Sequence, residues 1–299
     1  MNKIIGILAH VDAGKTTFCE QLLYHTKSIR KLGRVDHKDT FLDSHSIEKS
    51  RGITIFSGQG YFEYNDSNYY LIDTPGHIDF SPEMERAIKI MDYAVLIISG
   101  VEKVKSHTRT VFRLLKEYNV PIIMFVNKMD RIGANKEDII KDLKLNLSEN
   151  IVDISKSFNI NENYELDTDL IEFIAERDED LFNKYLDEDY DKDLWIKNMK
   201  SMLKDNKIYP CVFGSALNNE GIDSFLEKLD ILTYTNYYED DKFIGKVYKV
   251  IYDKSNTRIT YIKSLQGSIN VKDEIRYMDS YEKINQIRTY NGDKFIRLC

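Results

Sequence analysis

The sequence predicts an α/β fold followed by the beginning of a β-barrel. Short apolar runs alternate with segments of helical spacing up to about residue 232, and polar motifs follow directly on several of these runs. From about residue 242 the pattern changes to short strand-like segments, at residues 243–252, 258–265, 273–277 and 282–289, separated by turns. The first pattern gives parallel strands joined by crossover helices, whereas closely spaced short strands are typical of a barrel.

The first polar motif is that of a phosphate-binding loop. It follows the apolar run at residues 4–8 and reads Ala9-His10-Val11-Asp12-Ala13-Gly14-Lys15-Thr16-Thr17. The spacing fits G-x-x-x-x-G-K-[ST], except that Ala9 holds the first glycine position. Gly14 lets the backbone close on phosphates, and the helix beginning near Lys15 directs its unpaired N–H groups at them. The Lys15 ammonium supplies a positive charge to the β- and γ-phosphates, and the Thr16 hydroxyl is placed to bind Mg²⁺.

A second motif supplies an acid and a histidine. Residues 61–64 and 69–72 read as a hairpin that ends in Asp73-Thr74-Pro75-Gly76-His77. A carboxylate at the end of a buried strand is where a nucleotide fold places its magnesium-side acid, so Asp73 is the candidate. The Gly76 N–H would contact the γ-phosphate, and His77 would orient or polarise the attacking water. The polar stretch at residues 30–52 predicts a functional loop, and Thr54 after it is the candidate second magnesium ligand.

The third motif determines which nucleotide base the site can recognise. An apolar run at residues 122–126 ends in Asn127-Lys128-Met129-Asp130, and a run at 209–213 ends in Gly214-Ser215-Ala216. Asp130 can accept two hydrogen bonds, from N1–H and the 2-amino group of guanine. Adenine lacks both donors, and an unpaired carboxylate costs about 1 to 3 kcal/mol, so ATP should be rejected. Asn127 can contact the purine edge and tie the loops together, the Lys128 stem can lie over the ring, and Ser215 and Ala216 can complete the pocket.

These motifs together predict a P-loop GTPase domain that hydrolyses GTP to GDP and phosphate with Mg²⁺ as cofactor. At 299 residues the chain is long enough for about two domains. We predict a GTP-binding domain at 1–238 with a helical insert at about 150–207, and an incomplete barrel domain at 239–299. The acidic run at 176–193 is interpreted as a solvated face, and His10 and His107 are given structural roles.

Composition limits the partners. The net charge of −7 argues against a chain-wide basic field that would attract nucleic acid by itself. No apolar run approaches the roughly 20 residues of a membrane helix, and no signal peptide is expected. Cys19, Cys211 and Cys299 are far apart and odd in number, which is typical of free thiols in a reducing compartment, and none is given a catalytic role. We therefore expect a cytoplasmic protein without a membrane partner, and a monomer.

The motifs resemble those of translational GTPases of the elongation factor G class. The resemblance covers nearly the whole chain and rests on the three motifs above, on Gly214-Ser215-Ala216 and on Arg51-Gly52-Ile53-Thr54-Ile55. Within the class, the chain looks most like the tetracycline-resistance ribosomal protection proteins, through Gly33-Arg34-Val35-Asp36, Asp43, the stretch from Arg51 to Ile55, and Ser57-Gly58. Elongation factor G usually has a Met-Asp-Trp-Met-like stretch where this chain has Phe41-Leu42-Asp43-Ser44. The bacterial GTPase release factor usually has serine at position 54.

The resemblance implies further roles. Val11 and Ile53 would flank the approach of the water as a hydrophobic gate, His77 would swing inward when ribosomal RNA presses on the site, and Asp12 would bind a monovalent cation. Family members hydrolyse GTP on the ribosome and displace bound tetracycline through a later domain. The chain departs from the family pattern at Lys103 and Ser106, where glycine and glutamine are favoured, and in its poorly matched insert.

Two alternatives stay open from the sequence. The chain can be read as a translocation or recycling factor like elongation factor G. It can also be read as a nucleotide-switched ribosome-binding module with negligible hydrolysis.

Overall fold

The structure is a computed structural model that describes residues 1–33, 40–42, 58–77, 81–158, 165–237, 240, 242–253, 255–277, 279–292 and 294–298. The sequence predictions for Arg34 to Asp36, Asp43 and residues 51–57, which include Ile53 and Thr54, lie outside these ranges.

The first part of the chain alternates strands with helices. Its elements are β1 (Asn2–Ala9), α1 (Lys15–His25), β2 (Gly58–Tyr64), β3 (Ser67–Asp73), α2 (Ser81–Ile88), β4 (Tyr93–Ser99), α3 (Ser106–Glu117), β5 (Ile122–Asn127), α4 (Lys136–Asn146), β6 (Ile151–Asp153), α5 (Thr168–Ala175), α6 (Glu179–Leu186), α7 (Lys192–Lys204), β7 (Tyr209–Phe213) and α8 (Ile222–Leu232). The strands form one seven-stranded sheet in the order β2-β3-β1-β4-β5-β7-β6. The β2–β3 pair is antiparallel, and the other pairs of this sheet are parallel.

Apolar side chains cover both faces of the sheet. All seven residues of the central strand β4 are buried, as expected for a parallel strand with helices on either side. On one face the rings of Phe18, Phe125 and Phe225 meet, with centroids 4.6 to 5.6 Å apart. On the other face Phe112 of α3 meets Tyr209 of β7 at 5.0 Å between centroids. This packing holds the strands in place and so positions the loops that follow them.

The insert is a helical layer, with one strand that the sequence analysis missed. Helices α5, α6 and α7 lie between β6 and β7 in the chain, and the fully buried Trp195 donates its indole N–H to the carbonyl of Ile171 at 3.0 Å. Two residues of the acidic run at 176–193 have a structural role, because the side chains of Asp178 and Asp191 cap the N-termini of α6 and α7. Strand β6 extends the sheet beside β7. It is only three residues long, which is too short to give a periodic signal in the sequence.

The described part of the C-terminal region is built of strands. They are β8 (Ile244–Tyr252), β9 (Arg258–Gln266), β10 (Glu274–Tyr277), β11 (Ser280–Lys283), β12 (Ile287–Asn291) and β13 (Lys294–Leu298). Strand β8 pairs with β9, β10 with β11, and β12 with β13, and each pair forms a two-stranded antiparallel sheet. The predicted single segment at residues 282–289 is wrong, because it is divided between β11, which pairs with β10, and β12, which pairs with β13. The predicted α/β fold with a following β-rich region is confirmed.

None of the helices that the structure describes is long and apolar enough to cross a lipid bilayer.

Candidate functional site

The predicted motifs follow strands that are neighbours in the sheet. Strands β3, β1, β4, β5 and β7 stand side by side and run parallel. The loops after β1, β3, β5 and β7 carry the phosphate loop, the Asp73 motif, the Asn127 motif and Ser215. Because the carboxyl ends of parallel strands lie at one edge, the four loops meet there.

Asn127 joins two of these loops directly. It is the last residue of β5 and is 3% exposed. Its side-chain Nδ2 donates to the carbonyl of Ala13 at 2.8 Å, and its Oδ1 accepts from the N–H of Ala216 at 2.8 Å. Both ends of one amide are therefore used to hold the phosphate loop against the loop after β7.

Gln21 of α1 makes a third connection, which sequence reasoning missed. Its Nε2 donates to the carbonyl of Ala216 at 2.8 Å, and the side chain is buried. The available signal was a polar residue within the apolar spacing at residues 18–24, on the helix that the phosphate loop opens. Gln21 and Asn127 therefore hold the backbone of Ala216 at its carbonyl and at its N–H.

Lys15 and Asp73 form a buried ion pair beneath the loops. The Lys15 ammonium donates to Oδ1 of Asp73, and the two side chains are 8% and 0% exposed. The Sγ of Cys19 lies 3.9 Å from the same carboxylate oxygen, a neighbour that the sequence analysis did not predict. The Asp73 strand and the phosphate loop are thus joined through oppositely charged side chains.

The residues after Asp73 also lie against β1 and the start of the phosphate loop. The hydroxyl of Thr74 donates to the carbonyl of Ile7 at 2.8 Å. A Cβ added to Gly76 would lie 3.3 Å from the carbonyl oxygen of Ala9. Glycine is therefore suited to this position, where two segments of the backbone approach so closely.

The loop after β7 is held in shape by its own backbone. Ser215 and Glu220 exchange two N–H to carbonyl hydrogen bonds of 3.0 and 2.9 Å. The N–H of Met129 donates to the carbonyl of Gly214 at 3.1 Å, which joins this loop to the Asn127 motif. Asp130 follows in that motif, with Oδ2 3.8 Å from the Nε of Arg131.

Two histidines with lowered pKa values lie at or near the phosphate loop. His10 is buried, with Nδ1 2.6 Å from the carbonyl oxygen of Val11 and Nε2 3.9 Å from Glu102. Burial is the main cause that lowers the pKa of His10. Burial also lowers the pKa of His107, and the charges of His10 and His77 lower it further. Both ring nitrogens of His107 are buried without a hydrogen-bond partner among the described residues.

The donor set fits a magnesium ion. Thr16 of the phosphate loop offers a hydroxyl, and Asp73 beside Lys15 offers a carboxylate; both are hard oxygen donors of the kind that Mg²⁺ prefers. In the described ranges no group of three or more His, Cys, Asp and Glu residues could hold a metal ion. The predicted Thr54 ligand and the predicted gate residue Ile53 lie outside the described residues, whereas Val11 is 39% exposed at the loop.

The fold and the site define a P-loop nucleotide-binding domain. A strand leads through a left-handed Gly14, at φ 92°, into a helix that begins at Lys15, and an acid from the neighbouring strand lies beside that lysine. The model of the Elongation factor Tu GTP binding domain matches residues 2–235. The chain belongs to this family of GTP-binding domains.

Individual relatives agree with this assignment. The chain is 37% identical to the tetracycline resistance protein TetP of Clostridium perfringens over 98% of its length. It is 35% identical to a TetM protein of Streptococcus pneumoniae over 96% of its length. It covers 47% and 46% of these proteins, so the chain spans about half the length of the curated relatives it matches. The resemblance to the tetracycline-resistance proteins is confirmed.

A solved structure shares the fold. A protein from Thermus thermophilus superimposes with a TM-score of 0.87 at 20% identity. The match covers 99% of this chain and 50% of the other. The α/β domain and the β-rich region that follows it therefore occur together in that structure too.

Proposed function

We propose that this protein is a ribosome-dependent GTP hydrolase of the ribosomal protection type. The single observation that carries the proposal is the double hydrogen bond of Asn127, which joins the phosphate loop to the loop after β7. A base pocket and a phosphate pocket held together in this way form one nucleotide site.

The base is guanine in this proposal. Asp130 accepts from N1–H and the 2-amino group, the Lys128 stem covers the ring, and Asn127 contacts the purine edge. Lys128 has a left-handed backbone with φ 65°, which turns the chain sharply between Asn127 and Asp130. The backbone of Ser215 and Ala216 closes the pocket, and the Ser215–Glu220 hydrogen bonds support it.

The phosphates lie on the loop of residues 10–17. The N–H groups at the start of α1 and the Lys15 ammonium bind the β- and γ-phosphates, and the Gly76 N–H contacts the γ-phosphate. Thr16 and Asp73 hold Mg²⁺, with Thr54 as the further ligand. When bound, the ion neutralises charge that develops on the transferred phosphoryl group. The proximity of Lys15 and Asp73 supports this arrangement.

His77 orients the water, and other residues assist. It follows Gly76, whose backbone lies beside the phosphate loop, so its side chain starts close to the γ-phosphate position. Val11 and Ile53 flank the path of the water as a hydrophobic gate. Asp12, which has φ 64° in the phosphate loop, is the ligand of a monovalent cation in the same proposal.

The partner is the ribosome. Two relatives at 35% and 37% identity are named tetracycline resistance proteins, which supports a protein that hydrolyses GTP in the cytoplasm on the ribosome and releases bound tetracycline. The region beyond the matched half of those relatives would make the drug-displacing contact.

The test is multiple-turnover phosphate release from GTP with and without ribosomes, run beside release of labelled tetracycline from drug-loaded ribosomes. We expect ribosomes to stimulate turnover and the full-length protein with GTP to release the drug. Stimulated turnover without drug release, in a protein that replaces elongation factor G in translocation, would identify a translocation factor instead. Tight GTP binding with no turnover under either condition would identify a binding module.

A further inference from the structure

Glu20 is a buried carboxylate on the helix that the phosphate loop opens. It lies in α1, five residues after Lys15, and is 1% exposed. Its Oε2 accepts the backbone N–H of Gly33 at 2.9 Å, and its Oε1 accepts the backbone N–H of Phe41 at 2.7 Å. Charge-assisted hydrogen bonds of this kind are stronger than neutral ones, so one side chain fixes two separated points of the backbone to α1.

Phe41 in turn lies against the C-terminal β region. A Cβ added to Gly292, at the turn between β12 and β13, would lie 2.9 Å from Cε1 of Phe41 and 3.0 Å from its carbonyl oxygen. Gly292 also has φ 59°. Glycine is thus needed there both for space and for backbone conformation.

The same turn is hydrogen-bonded to strand β2. The N–H of Gly292 donates to the carbonyl of Gln59 at 2.8 Å, and the N–H of Tyr61 donates to Oδ1 of Asn291 at 3.0 Å. Strand β2 is one of the two edge strands of the seven-stranded sheet, and these bonds cover part of an edge that would otherwise expose backbone groups. Phe41 therefore lies in a continuous path from α1 to the β12–β13 turn.

We propose that Glu20 is a positioning residue that sets where the C-terminal β region docks on the nucleotide domain. By holding the Phe41 backbone against α1, the carboxylate places the surface on which Gly292 packs. The helix that begins at the phosphate loop and the β12–β13 turn then move together. The consequence for nucleotide exchange rests on the proposed GTP site, whereas the docking itself does not.

The first test is amide hydrogen exchange of Glu20→Gln, without nucleotide. Glutamine has one acceptor oxygen in place of two, so one of the two backbone bonds is lost. We expect exchange of the Tyr61 and Gly292 amides to rise about tenfold, although neither touches Glu20. Faster exchange confined to Gly33 and Phe41 would overturn the proposal, because a merely local role predicts that result.

The second test approaches the contact from the other side. Gly292→Ala pushes a methyl group into Phe41, and we expect faster exchange at the Phe41 amide. Gly267→Ala is the matched control, since Gly267 has φ 66° in the same region but its added Cβ would meet the carbonyls of Lys242 and Asp240 instead. Equal exchange at Phe41 in the two alanine variants would overturn the proposal even if Glu20→Gln failed to fold.

The nucleotide arm separates this inference from the proposed function. GDP dissociation should be about tenfold faster in Glu20→Gln and in Gly292→Ala, and the double variant should be no faster than the faster single variant, because both changes break one path. Additive effects would contradict the shared path. If the unaltered protein bound no GDP, the proposed function would fail, and the exchange measurements would still decide the role of Glu20.

Discussion

A Cβ placed on Gly14 would lie 2.3 Å from Nδ2 of Asn127. The amide occupies this space because it donates to the carbonyl of Ala13, the residue before Gly14. Gly14 also has φ 92°, a conformation that side chains rarely adopt. The absence of a side chain at Gly14 is therefore what allows the base loop and the phosphate loop to meet.

We expect Gly14→Ala to weaken GDP binding at least about a hundredfold, because the added methyl group displaces Asn127 and breaks its bond to Ala13. Gly133→Ala is the matched control. Gly133 has φ 94° and nothing within 4 Å of an added Cβ, so it should lose about 1 kcal/mol of stability and keep its GDP affinity. Titration with a fluorescent GDP analogue measures the GDP affinity of both variants. Equal losses of affinity would show that backbone strain alone is responsible.

Asp130→Asn should shift the preference from guanine to xanthine nucleotides. An amide in place of the carboxylate no longer accepts both guanine donors, but it can donate to the 2-oxo group of xanthine. Competition of GTP and XTP for the site measures the shift. Asp138→Asn, on the exposed first turn of α4, is the control and should leave the preference unchanged. Retained GTP preference in Asp130→Asn would remove the base-recognition assignment.

His77→Ala should lower ribosome-stimulated turnover by at least about a hundredfold, with little change in nucleotide affinity. The physical reason is that the imidazole acts on the water and makes no required contact to the bound nucleotide. Single-turnover hydrolysis on ribosomes and GDP titration separate the two effects. Normal turnover would show that His77 has a structural role.

The motifs of the site could be predicted because their signals are local in the sequence. The phosphate-loop motif begins at Ala9, directly after an apolar run, and Asp73 and Asn127 also follow apolar runs directly. Parallel strands bring the carboxyl ends of these runs to one edge of the sheet. The contacts of Glu20 and Gln21 could not be predicted in this way. Their partners are backbone groups of Gly33, Phe41 and Ala216, and a backbone amide leaves no mark in the sequence.

The boundaries of the short strands depended on tertiary pairing. Residues 282–289 contain no glycine or proline that would signal a break, so the sequence alone gives one strand. The fold divides them because Ile284 exchanges backbone hydrogen bonds with Lys272 and Asp273 at the base of the β10–β11 hairpin, whereas β12 pairs onward with β13. Strand β6 is held beside β7 by three register pairs, too few for periodicity to be seen.

Acid should destabilise the protein partly through His107. Burial, assisted by the charges of His10 and His77, lowers its pKa from the ordinary 6.5. Below about pH 6.5 the unfolded chain therefore binds a proton that the folded chain does not, and stability falls until the folded pKa is reached. Urea unfolding at about pH 7.5 and about pH 5.5 should show a smaller loss for His107→Gln than for the unaltered protein. Equal losses would mean that His107 titrates alike in both states.

Lys263 should be the principal ionic tie between the β-rich region and the nucleotide domain. Its ammonium donates to Oδ1 of Asp92 at 2.6 Å, with the side chains 8% and 11% exposed, and to the carbonyl of Ile90 at 2.8 Å. We expect Lys263→Met to lower the free energy of unfolding by about 3 kcal/mol, because it removes the ammonium that is ion-paired with the nearly buried carboxylate of Asp92.

Lys246→Met is the matched control for that change. Lys246 is exposed on β8 and donates to the carbonyl of Lys89 at 3.2 Å, so its loss should cost at most about 0.5 kcal/mol. Asp92 keeps the N–H of Ile4 and the hydroxyl of Tyr237 as donors in both variants. Urea unfolding, followed by tryptophan fluorescence, measures the free energy of unfolding of both variants. The single tryptophan, Trp195, lies in the nucleotide domain and reports on its unfolding. Equal stability of the two variants would show that the Lys263 pair contributes no more than an exposed lysine.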